Sequence, residues 1–356
     1  MLSGLAGDLL YVVGIVVMFF VLIAPHEAGH FVVAKLFKVR VIEFSIGAGT
    51  RLWSMTRGGT LYAIRAVPIL GYVRMGGMEA GDLGDPRGFH TKPAWQRLLI
   101  LAGGPAANFL VAMIVIAGLD MTMLNNDPGK VVRVVPGSTA ERSGVVPGDR
   151  ITTVDGHPMA EGYVRQVEDA NPGFPVSIGG YHADGRPFSY VILPVCASGQ
   201  PCVMGITTAR VITVGYALKD GATFPYVAVS NIVQGLGQLV SGAIPGGILG
   251  PNGVTGPIGI ADVTAQSVSL GPQTYLFFVA LLSVALGFTN LLPFLALDGG
   301  RMVVVIIEAL RRRPFDRAME LNFQRAGLAA LLAVAAVISF LDIERIATGQ
   351  FPGLTR

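Results

Sequence analysis

Charge is the first thing this sequence lacks. Asp, Glu, Lys and Arg make up 14% of its 356 residues, against roughly 25% in ordinary soluble domains. The scarcity is uneven. Leu9 to Pro25 holds no ionisable side chain except Tyr11, and Leu98–Leu119, Thr274–Leu297 and Ala326–Leu341 carry no charge at all. A bilayer core takes about 20 apolar residues as helix. With their flanks, these stretches predict four transmembrane helices, over about 8–36, 95–121, 273–298 and 324–343. The fourth run is short and needs snorkelling ends or extension past Asp342. A soluble enzyme with buried helices is set aside. Lys and Arg are also missing from Met1 to Asp8, where a cleaved signal peptide would carry its basic start. The first helix is therefore expected to be retained. Cysteine is nearly absent, and Cys196 and Cys202 form no metal-binding cysteine motif.

The charge that is present has a pattern. Residues 34–97 hold ten Lys/Arg against four Asp/Glu, and residues 301–325 hold six against three. Residues 124–273 hold eight Lys/Arg and ten Asp/Glu. Short basic loops face the cytoplasm, which puts the long acidic-leaning segment and both termini outside. The run Arg311-Arg312-Arg313 reads as a topology anchor rather than a headgroup site. Nothing in this pattern calls for nucleic acid.

The expected architecture is a polytopic α-helical membrane protein with a small outer domain. Residues 1–123 hold helices one and two with a cytoplasmic loop, and residues 124–210 form the outer domain. Residues 211–272 form a linker, and residues 273–356 hold helices three and four. In the first loop, the β-branched and aromatic residues of Thr60–Met75, with Pro68 and Gly71 as turn signals, predict a membrane-associated β-hairpin. Its edge could pair with an extended substrate, or the hairpin could be purely structural. In the outer domain Lys130–Val135, Arg150–Val154 and Pro175–Gly179 read as strands. Cys196 and Cys202 close the domain, either bridged in an oxidising exterior or as two free thiols. Residues 221–250 are uncharged. Asn231, Gln234, Gln238 and Ser241 nevertheless form one polar stripe opposite Ile232, Val233, Leu236, Leu239 and Val240. The segment is expected to be an amphipathic helix lying in the interface.

The chemistry begins at His26-Glu27-Ala28-Gly29-His30. Residues four apart share a helix face, so both imidazoles can bind one zinc, and Glu27 beside them can move a proton during hydrolysis. Ionisable groups near the inner end of a membrane helix are costly and point to function. The alternative is a pair of satisfied core histidines. Zinc needs a third protein ligand. His157 and His182 fall on the outer side, and nothing places His90 near the metal. Asp298 is the candidate, because helices one and three both run inward and reach these residues near their ends. Otherwise Asp298 is an interfacial helix-end aspartate. Asn108 and Asn290 sit in apolar surroundings. Each amide could hold substrate backbone or a developing oxyanion, or join helices by ordinary interhelical bonds.

These residues resemble the site-2 protease family of intramembrane metalloproteases, in particular its bacterial PDZ-bearing branch of envelope-stress regulators. The resemblance runs through His26–His30, Phe89 to Phe109, Gly256–Ile260 and Asn290 to Gly300. It implies one zinc held by His26, His30 and Asp298, with Glu27 as acid and base. It also matches Gly104-x-x-x-Asn108 to a motif whose asparagine binds substrate or the transition state. The run from Ser143 to Gly156 resembles a permuted PDZ domain, which would make 124–210 a small α+β PDZ unit. Leu295 stands where the family usually has proline, and Pro25 precedes His26 where a bulky apolar residue is common. The function implied is cleavage of membrane-anchored, single-span proteins within the bilayer of a bacterial cytoplasmic membrane. An anti-sigma factor or remnant signal peptides would be the substrates. The competing reading is a catalytically silent PDZ-bearing membrane scaffold.

Overall fold

With no water to bond in a bilayer core, a spanning segment must satisfy its own backbone, and a helix does so. The computed structural model describes residues 2–78, 84–170, 172–196, 202–247, 250 and 253–351. In chain order the elements are α1 (Leu2–Leu36), β1 (Val41–Arg57), β2 (Thr60–Met75), α2 (Ala94–Thr122), β3 (Val131–Val134) and α3 (Thr139–Arg142). Then come β4 (Arg150–Val154), β5 (His157–Pro158), α4 (Tyr163–Ala170), β6 (Val176–Tyr181), β7 (Pro187–Ile192) and β8 (Ile206–Thr208). The last are α5 (Val214–Val240), α6 (Pro257–Ser269), α7 (Pro272–Leu291), α8 (Asp298–Arg311) and α9 (Arg317–Ala347). Residues Met1–Leu119 and Asp220–Arg356 form one unit, and Asp120–Lys219 another.

Among the described residues, four helices are long and apolar enough to cross a membrane: α1, α2, α7 and α9. This is the expected number, and α9 extends past Asp342 as its short apolar run required. The third helix differs. It ends at Leu291, and Leu292 is extended with ψ 147°. Pro293 explains the stop, because it disfavours the helical region for the residue before it and offers no N–H. Asp298 thus begins a separate helix, α8, instead of ending the third span. Pro25, by contrast, lies inside an unbroken α1.

The hairpin in the first loop is larger than expected, and its turn lies elsewhere. β1 and β2 meet at Gly58 and Gly59, whose φ values of +57° and +75° suit glycine. Both strands bend. Residues 41–46 lie between two arms of β2, so Phe44 pairs with Tyr62 on one side and Val73 on the other. Tyr62 in turn pairs with Met55. The arms therefore run in the order 51–57, 60–65, 41–46, 71–75. Pro68 and Gly71, expected as the hairpin turn, mark where β2 crosses over to the far side of 41–46. Glu43 ties the arms together: its carboxylate accepts from Arg65 (2.7 Å) and from the Tyr72 hydroxyl (2.8 Å).

α5 starts before the stretch expected as an amphipathic helix. Phe224 and Ala228 pack with Ala112 and Ile116 of α2 and with Ala280 and Val284 of α7. Further along, Asn231, Gln234 and Gln238 are exposed, and so are Val233, Leu236 and Val240 opposite them. α6 is held by α9. The fully buried Asp342 carboxylate accepts from the backbone N–H of Gly256 (2.8 Å) and Gly259 (2.9 Å), capping the start of α6. Arg345 donates to the Val254 carbonyl at 2.9 Å.

In the second unit, β5-β4-β6-β7 form one sheet and β3-β8 another. The three stretches read as strands in the sequence correspond to β3, β4 and β6. Its core is built on Ile151, Val154, Val176, Ile178, Ile192 and Met204. Ser138 caps α3 by accepting from Glu141 N–H.

Candidate metal centre and active site

His26 and His30 face the same way on α1 and are almost completely buried, at 8% and 7% exposure. Asp298 meets them from the first turn of α8. The Asp298 Oδ2 lies 3.2 Å from each Nε2, and the two Nε2 atoms are 3.2 Å apart. Three ligand atoms therefore form a nearly equilateral triangle. A tetrahedral ion at zinc's ligand distances of about 2.0–2.1 Å needs edges of about 3.3 Å. The triangle fits such an ion and leaves one side open.

The support is backbone. The Ile100 carbonyl accepts the ring Nδ1–H of His30 at 2.8 Å. That contact fixes the tautomer and leaves the Nε2 lone pair facing the triangle. Close approach of α1 and α2 makes the bond possible, and it depends on glycine. A Cβ on Gly29 would strike the Gly103 carbonyl, and one on Gly103 would sit 2.7 Å from the Gly29 carbonyl oxygen. Gly104 faces the imidazoles themselves. A Cβ there would strike His30 Nε2 and lie 2.8 Å from His26 Nε2.

A cavity of about 910 Å³ opens on this cluster, and its walls include His26, Glu27, Tyr72, Asn290, Asp298 and Arg301. Glu27 is overlain by the last arm of the sheet: a Cβ on Gly71 would come within 2.8 Å of its Cγ. Arg301, one turn after Asp298, donates to Gln324 of α9 at 3.0 Å.

The other expected site residues divide. Asn290 lines the cavity and donates to the carbonyl of Leu286 in its own helix at 3.0 Å. Asn108 is fully buried one turn beyond Gly104 but is not among the cavity-lining residues. Its amide has no hydrogen-bond partner among the described residues. His90 lines the cavity outside the triangle, and the only His/Cys/Asp/Glu cluster with metal-ligand spacing among the described residues is His26, His30 and Asp298. His182 instead bonds Asp149 (3.0 Å) and Tyr190 (3.2 Å). Cys196 and Cys202 form a disulfide beside the Val195–Val203 bridge.

The family profile of peptidase family M50 matches residues 14–334. The chain belongs to peptidase family M50. This is the site-2 protease family that the motifs resemble, and the chain is a membrane metalloendopeptidase of it. The peptidase is 26% identical over 420 residues to the zinc metalloprotease RasP of Bacillus licheniformis, covering 94% of this chain and 99% of the relative. It is 28% identical over 399 residues to the metalloprotease MmpA of Caulobacter vibrioides, covering 98% of each. RasP of Shouchella clausii is 27% identical over 418 residues, covering 93% of this chain and 98% of the relative.

Sequence reasoning on the peptidase missed the residues that act through backbone or across long separations. The Ile100 carbonyl has no side-chain signature. Arg301 carries no local signal, and Tyr72 reads only as part of the Thr60–Met75 hairpin. Asp342 left a trace: it is the first charged residue after the uncharged run 326–341 of α9.

Proposed function

We propose that this peptidase is an intramembrane zinc endopeptidase that cuts membrane-anchored single-span proteins. The observation that carries the reading is the buried 3.2 Å triangle of His26, His30 and Asp298, in one cavity with Glu27. A zinc ion bound there supplies Lewis-acid chemistry, lowering the pKa of water and polarising a carbonyl. His26, His30 and Asp298 would hold it, and Glu27 would take a proton from water and deliver one to the leaving amine.

The substrate must unwind first, because a helix buries its peptide bonds in internal hydrogen bonds. The 71–75 arm is the outer arm of the sheet and lines the cavity with Tyr72, Val73, Arg74 and Met75. In this reading its free edge pairs with the extended substrate. Asn290, in the cavity wall, orients the substrate backbone. Asn108, whose buried amide has no partner among the described residues, is read as holding substrate backbone or the developing oxyanion alongside it. The Asp120–Lys219 unit is read as the PDZ domain, outside the cytoplasmic membrane with both termini, and it screens or binds substrates already trimmed there. The active site then lies toward the cytoplasmic side. Anti-sigma factors and remnant signal peptides are the substrate types that fit.

Glu27→Gln tests the mechanism. The variant should keep its zinc and lose cleavage of a single-span substrate in proteoliposomes. Full activity would overturn the assignment of Glu27. Retention of a complete ligand set speaks against the silent-scaffold alternative.

A further inference from the structure

One turn of α2 touches both His30 and α8, the helix that carries Asp298. Ile100 holds His30 through its carbonyl at 2.8 Å. Arg97, three residues earlier, pairs through Nη1 with Glu308 Oε2 at 2.6 Å. Glu308 lies ten residues beyond Asp298 on the same helix, α8. The two side chains are 7% and 6% exposed. The Arg97 guanidinium also lies 5.1 Å from the centroid of the Phe89 ring, and Glu308 Oε1 accepts the Phe315 N–H at 2.8 Å just past α8.

A pair buried this deeply is a weak source of stability. Desolvating two charges offsets most of their attraction, and apolar replacements of both are often neutral or stabilising. What the pair does supply is geometry. α8 also meets α2 through apolar contact, with Val305 packed in a cluster containing Ile100 and Leu101. Such contact chooses the helix face but permits sliding. A slip of one residue moves a helix by about 1.5 Å, whereas metal–ligand distances tolerate about 0.2 Å. Asp298 is not on a membrane-spanning helix, so its position depends on the register of α8.

We propose that the Arg97–Glu308 pair is a positioning device for the metal centre. It locks α8 against the turn of α2 that holds His30, so that Asp298 closes the triangle. The inference rests on the zinc reading above, and the test separates the two. Zinc affinity is measured by chelator competition on purified full-length protein in detergent, and melting of the metal-free form is measured alongside. Wild type without stoichiometric zinc would sink the zinc reading itself. Arg97→Met combined with Glu308→Leu removes both charges of the pair. Its metal-free form should melt within a few degrees of wild type, while zinc affinity falls about 10–100-fold, the usual cost of losing an outer-shell partner. Affinity within about twofold of wild type overturns the inference, as does a loss of metal-free stability that accounts for the weakened binding. Should the double variant fail to fold, Glu308→Gln decides, because it keeps the side-chain shape and one acceptor oxygen but puts an NH2 where the other accepts, removing the charged pair. A fall of about threefold or more in zinc affinity at unchanged metal-free melting supports positioning, and unchanged affinity refutes it.

Discussion

Replacing Gly104 with alanine would put a methyl group where the two imidazoles of the metal centre meet. That methyl would strike His30 Nε2 and stand 2.7 Å from His30 Cε1 and 2.8 Å from His26 Nε2. Ordinary contact needs about 3.5 Å or more between such atoms, so the rings must retreat by more than half an ångström. They have no room to do so. His30 is tied through Nδ1 to Ile100, and α1 is pressed on α2 at Gly29 and Gly103. Since zinc distances tolerate about 0.2 Å, the expected loss of affinity is at least about 100-fold, or about 2.7 kcal/mol. Gly118→Ala is the matched control on the same helix. A Cβ there meets nothing within 4 Å, and alanine is favoured over glycine in a helix by about 1 kcal/mol. Zinc titration of both variants in detergent reads the difference. Wild-type affinity in the Gly104→Ala protein would refute the argument that α2 backs directly onto the ligand atoms.

Asp342→Ala should strip the buried cap from α6 and lower stability by about 3 kcal/mol, seen as a clear drop in melting temperature, with Asp342→Asn milder. Glu43 titrates below its ordinary range: burial raises its pKa, but the hydrogen bonds from Arg65 and Tyr72 outweigh that. Its contribution is therefore complete above the ordinary glutamate pKa and lost as pH falls through the depressed value. Amide exchange in the 71–75 arm should accelerate only in that acid window, and Glu43→Gln should remove the transition. Replacing Cys196 and Cys202 by serine opens a short loop and should cost about 2 kcal/mol, read as lower melting of the Asp120–Lys219 unit.

The sequence disclosed the spans because an uncharged run of bilayer length has few other uses, and α1 and α2 lie close to where their flanks put them. The third span was misjudged by a few residues, because hydropathy continues through Leu292–Leu297 while Pro293 ends the helix. His26, Glu27 and His30 were legible as a periodic motif. Asp298 was legible from the expected direction of helices one and three together with the motif the chain resembles, although it sits on a helix of its own. Arg97 and Glu308 were not legible. They are 211 positions apart, and nothing local marks either as a partner. The sheet was half legible: its composition announced strands, but only the ladder shows that 41–46 is flanked by two arms of one strand.

X-ray absorption at the zinc edge of the purified wild-type protein tests the central claim most directly. One zinc per chain, with about four nitrogen and oxygen neighbours at about 2.0–2.1 Å and the signature of two imidazoles, is the predicted result. Absence of bound zinc, or sulfur in its shell, would contradict it.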